Sequence, residues 1–92
     1  MKFEMSITDL FHLSNGLTAL SGLINGPKEL ISACNCELVV EEQVIERIHF
    51  DGEMHLKKSD PENPLRALAT QARINLTPEQ ARTKKFRLVC NF

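Results

Sequence analysis

Ser6-Ile7-Thr8-Asp9-Leu10-Phe11-His12-Leu13-Ser14-Asn15-Gly16-Leu17-Thr18-Ala19-Leu20-Ser21-Gly22-Leu23-Ile24 places two apolar-rich runs on either side of Ser14-Asn15-Gly16. Asn-Gly between strand-like runs is a strong hairpin signal, because both residues tolerate the positive φ of a tight turn. Upstream, Phe3, Met5 and Ile7 alternate with Lys2, Glu4, Ser6 and Thr8, the period-two pattern of a half-buried strand. The alternation slips at Asp9-Leu10-Phe11, which predicts a bulge. Gly22, inside the second run, predicts a close backbone approach or a bend.

Downstream the chain reads as further short strands. Asn25-Gly26-Pro27 breaks the pattern, and Lys28–Ile31 has no clear period. Glu37–Val40 and Val44–Phe50 are strand-like, with Val44, Ile48 and Phe50 on one face and His49 on the other. Asp51-Gly52 predicts a second hairpin, from Val44–Phe50 into Met54–Lys57. Lys57–Pro64, with two prolines and four charges, is a loop. A helical turn is expected at Leu65–Leu68 and a strand at Ala72–Leu76. Thr77-Pro78-Glu79-Gln80 is a helix start, with an N-cap Thr, Pro at the first position and Gln three after the cap. Phe86, Leu88 and Cys90 then alternate with Arg87 and Val89 in a closing strand. The expectation is an all-β fold: a small antiparallel β-barrel of about six or seven strands with one short helical turn, residues 1–92 forming a single domain.

The order of features resembles the second-domain β-barrel of translational GTPases, the domain that follows the nucleotide domain in elongation factor Tu and its relatives. Thr8-Asp9-Leu10-Phe11 followed by Asn15-Gly16-Leu17-Thr18-Ala19-Leu20-Ser21-Gly22 is similar to that family's opening strand and its glycine-threonine-valine-valine-x-glycine strand. Ala72–Leu76, Thr77–Thr83 and Phe86–Cys90 follow the order of its last elements. Ser32-Ala33 and Thr83-Lys84 stand where the family usually has glycine-containing steps. No GxxxxGK[ST] phosphate loop occurs, so the resemblance implies the barrel and not the GTPase. It also implies a surface that touches RNA, the ribosome or a neighbouring domain.

Composition narrows the function further. Hydrophobic content is 42% and charged content 25%, ordinary globular values. Charge is uneven: residues 1–46 carry two Lys or Arg against seven Asp or Glu, and residues 47–92 carry nine against five. No run is long enough to span a membrane, and Met-Lys-Phe-Glu-Met has no signal-like apolar core. The odd count of three cysteines, with no framework spacing, predicts reduced thiols and a cytoplasmic setting.

Few residues point to chemistry. Cys34 and Cys36 share a strand face and, with Cys90 and a histidine, would supply four zinc ligands. Their one-residue gap is short for a structural zinc site, so the expectation is no metal, no cofactor and small core or surface thiols. His12, His49 and His55 sit in no nucleophile motif, and the carboxylates Glu41, Glu42 and Glu46 belong to a turn, so no catalytic residue is expected. Arg82, Lys84, Lys85 and Arg87 place four of the eleven basic residues within six positions, around Phe86. They form the candidate nucleic-acid surface. The leading expectation is a non-catalytic module that docks a protein partner. The alternative is an RNA- or ribosome-associated barrel using Arg82–Arg87.

Overall fold

The computed structural model describes residues 2–26, 29–54 and 65–91. In chain order they form β1 (Lys2–His12), β2 (Thr18–Asn25), β3 (Cys34–Val40), β4 (Gln43–Phe50), β5 (Gly52–Met54), β6 (Arg66–Thr70), the helix α1 (Pro78–Ala81) and β7 (Phe86–Asn91). One antiparallel sheet runs in the order β4-β3-β7-β1-β2-β6-β5 and curls into a half-barrel. None of the described helices is long and apolar enough to cross a membrane.

The β1–β2 hairpin forms where its turn residues require. Leu13 N–H donates to Leu17 O (2.8 Å), Gly16 N–H to Leu13 O (3.1 Å), and the Asn15 carboxamide oxygen accepts from Leu17 N–H (3.1 Å). Only Gly16 in this loop takes a positive φ, 88°, so the turn is completed by a left-handed glycine. The expected bulge is present, as a register shift between Ile7 and Asp9. Gly22 is a close approach: a Cβ there would run into the Ser6 carbonyl oxygen. That contact lets β1 and β2 lie together while the sheet bends.

The β3–β4 hairpin turns at Glu41-Glu42, with φ of 50° and 67°. Both central residues of a two-residue type I′ turn need positive φ, and here two glutamates accept it. The second hairpin expected at Asp51-Gly52 does not form. β4 pairs with β3 at one end of the sheet order, and at Asp51-Gly52 the chain passes to the other end, where β5 pairs with β6. Asp51 N–H donates to Ala69 O at 2.8 Å.

Two further expectations change. Leu65–Leu68 is not a helical turn, because Arg66–Thr70 supplies the strand that pairs with both β2 and β5. Sheet pairing overrides the helical preference of Ala and Leu. Ala72–Leu76 is not a strand. Thr70 ends β6 instead: its hydroxyl donates to His49 O (2.6 Å) and accepts from Ala72 N–H (3.0 Å). That contact also brings the β4 side of the sheet to the β6 side at one corner. The expected helix start is present in full, since Thr77 and Gln80 each bond the other's backbone N–H. The whole loop expected at Lys57–Pro64, residues 55–57 of the expected strand Met54–Lys57, and His55 lie outside the described residues.

The concave face carries the core. Phe3, Met5 and Ile7 of β1, Leu20 of β2, Cys36 and Leu38 of β3, Ile48 and Phe50 of β4, Leu68 of β6, and Leu88 and Cys90 of β7 are all buried in one cluster. Ile31, Ile74, Leu76 and Ala81 close it from outside the sheet. Val44, expected on this face, is half exposed at the outer end of edge strand β4.

Candidate functional site

The basic segment takes its shape from α1 and the sheet. α1 ends at Ala81, Lys84 turns the chain with a φ of 63°, and β7 begins at Phe86. Phe86 packs against the core, as its alternation with Leu88 predicts. Arg87 points outward between two acidic residues from the first half of the chain: its Nη1 lies 3.7 Å from Glu4 and its Nη2 3.2 Å from Glu42. Arg82 pairs with Asp9 at 3.2 Å. Of the four candidates, Lys84 and Lys85 have no carboxylate within ion-pair distance among the described residues. The basic cluster is thus partly neutralised by acidic residues from the first half of the chain.

The cysteines depart from expectation. Cys34 and Cys36 alternate onto the concave face of β3, and Cys90 lies on the same face of β7. Register places Cys36 directly opposite Cys90, and their sulfurs are bonded as a disulfide with Cα atoms 4.0 Å apart. The expectation of three free thiols is therefore wrong. The one-residue gap describes only Cys34 and Cys36, and an odd count leaves room for one pair, whereas the bond forms across 54 residues through strand pairing. Cys34 keeps its thiol, 3.7 Å from the Cys36 sulfur, and all three sulfurs lie within 4.8 Å of one another. Burial pushes the Cys34 thiol pKa up. No described histidine or carboxylate joins the cluster.

The described histidines stand apart from this cluster and from one another. His49 is exposed, as expected, and its Nδ1 shares a 2.8 Å hydrogen bond with Asn35 Oδ1. His12 lies beside the β1–β2 loop, 3.5 Å from the Thr18 hydroxyl. A groove of about 410 Å³ runs past His12, Thr18, Arg73 and Thr77.

One arrangement has no counterpart in the sequence pattern. Arg66 and Glu53 form a two-pronged pair, with Nε to Oε2 at 2.7 Å and Nη2 to Oε1 at 2.5 Å. Both side chains are mostly buried, with 17% and 10% exposure. Hydrogen bonding to Glu53 holds the Arg66 proton more firmly than usual. Glu53 also accepts from Ile31 N–H (3.0 Å), and Arg66 donates to Glu29 O (2.7 Å). The pair therefore fastens the 29–31 segment to β5 and β6. Leu23, Leu30 and Leu65 are 44%, 71% and 40% exposed. Gly22 stands opposite Arg66 in the ladder, so Leu23 and Leu65 are the next residues at that end of β2 and β6. Leu30 follows Glu29, which Arg66 holds. Alternation could not find this group, because Leu30 and Leu65 lie outside strands.

These features define a curled antiparallel half-barrel with a sulfur cluster under one side and an exposed leucine end on the other. Compared with protein-family models, curated proteins and solved structures, the chain matches none.

Proposed function

We propose that this chain is a non-catalytic binding module that docks a protein partner through the Leu23, Leu30 and Leu65 end. The observation that carries the reading is that Leu23, Leu30 and Leu65, each next to a residue of the Gly22, Glu29 and Arg66 group, are 44%, 71% and 40% exposed. Large apolar side chains held on a rigid base gain contact area without a large ordering cost, which is how protein interfaces obtain affinity. The alternative is the RNA- or ribosome-associated barrel that the resemblance to the translational GTPase second domain implies. Arg82 and Arg87 already engage Asp9, Glu4 and Glu42, which leaves Lys84 and Lys85 as its main cationic contacts. Two lysines without a stacking platform supply few phosphate contacts.

Immobilised wild type and a Leu23→Asp/Leu65→Asp variant, both checked for fold by circular dichroism, test the reading in nuclease-treated native lysate. A stoichiometric protein retained by wild type and lost by the variant supports it. Retention that needs intact RNA, falls steeply with salt and disappears in a Lys84→Glu/Lys85→Glu/Arg87→Glu variant overturns it in favour of the alternative.

A further inference from the structure

The sulfur cluster is the densest group of potential metal ligands among the described residues, and protein docking does not use it. Cys34, Cys36 and Cys90 are buried on the concave face, and their sulfurs lie within 4.8 Å of one another. A metal–sulfur bond of about 2.3 Å places three sulfurs around one ion about 4 Å apart. The Cys34 and Cys36 sulfurs already stand at 3.7 Å. Breaking the Cys36–Cys90 bond moves those two sulfurs out to ordinary contact, towards the same spacing.

The donor set selects the ion. Three sulfurs with no described fourth ligand fall short of the four that structural zinc takes. Magnesium and calcium need oxygen ligands. Soft sulfur donors favour a soft ion such as Cu(I), which accepts low coordination numbers. We propose that the reduced protein holds one Cu(I) ion between Cys34, Cys36 and Cys90, and that the Cys36–Cys90 disulfide closes this site.

The chemistry balances in two steps. A small-molecule dithiol reduces the disulfide: its two thiols become a disulfide, and Cys36 and Cys90 each gain a hydrogen. Cu⁺ then binds the Cys34, Cys36 and Cys90 sulfurs as thiolates, and their three protons leave to solvent. The complex of Cu⁺ with three thiolates carries a net charge of −2, less than the −3 of the three thiolates without the ion. In the oxidised protein Cys36 and Cys90 cannot become thiolates, so the site is shut.

Anaerobic titration with Cu(I) against a competing Cu(I) chelator, on the full chain, provides the test. Reduced wild type is expected to take up one Cu(I) per chain with release of three protons, and the oxidised protein none. Cys34→Ser, and separately Cys34→Ala, should weaken uptake at least tenfold while circular dichroism remains that of wild type. X-ray absorption of the loaded protein should find three sulfurs on copper. Uptake by the oxidised protein, equal affinity in the Cys34 variants, a two-sulfur shell, or loss of fold on loading would each overturn the proposal. So would zinc displacing Cu(I) at equal concentration.

Discussion

The two sides of the half-barrel are held by different means. On one side β3 lies between β4 and β7, is paired along its length, buries Cys34, Cys36, Leu38 and Val39, and carries a disulfide to β7. On the other side β5 is three residues long and only half buried. A strand that short has little apolar area to hold it, so its position depends on side chains. Arg66 and Glu53 supply that hold, and Ile31 adds a backbone partner, with Glu53 N–H donating to Ile31 O at 2.9 Å. Burial and a covalent bond secure a long interior strand. A buried ion pair secures a short edge strand.

The largest break in this comparison should come from Arg66→Ala. It leaves the Glu53 carboxylate buried without its cation, which costs about 3–5 kcal/mol. Urea unfolding measures the loss, and hydrogen exchange should show protection disappearing first in β5 and β6. A loss under about 1 kcal/mol would mean that the pair does not hold this side.

Reducing the disulfide should rank next. A bond between cysteines 54 positions apart stabilises by about 2–4 kcal/mol, mainly by constraining the unfolded chain. Thermal unfolding with and without a dithiol reductant checks this. The β3–β4–β7 ladders should remain intact in the reduced protein, since their apolar packing does not need the bond.

Gly22→Ala disturbs the hairpin that joins the two sides. The new Cβ would run into the Ser6 carbonyl, so the β1–β2 ladder must shift. A cost of about 1–3 kcal/mol is expected, with protection falling on both sides alike. A change confined to one side would show that the sides are not coupled through β1 and β2.

The smallest effect is a pH dependence that belongs to the sulfur side alone. Burial raises the Cys34 thiol pKa above its usual 9.0. The folded chain therefore keeps this proton to higher pH than the unfolded chain. Its stabilising contribution is complete below the unfolded value and is lost as pH rises through the folded one. Between about pH 8 and about pH 10 the unfolding free energy should fall more for oxidised wild type than for Cys34→Ala.

Local chemistry makes much of the strand layout legible along the chain. Alternation marks β1 and β7, Asn15-Gly16 marks the first loop, the slip at Asp9 marks the bulge, and Thr77 with Gln80 marks the helix start. Each of these signals acts between residues only a few positions apart, where the backbone's own preferences decide. Partner choice does not work that way. Asp51-Gly52 has hairpin chemistry, yet β5 pairs with β6 and not with β4, and Arg66–Thr70 becomes a strand because β2 offers it a free edge. The same reason hides the Cys36–Cys90 bond, the Arg66–Glu53 pair, the neutralisation of Arg87 by Glu4 and Glu42, and the grouping of Leu23, Leu30 and Leu65. Where this chain extends, turns and caps is written in its local residue order. Which distant residues meet is set by the folded sheet, because strand register joins positions that no local periodicity relates.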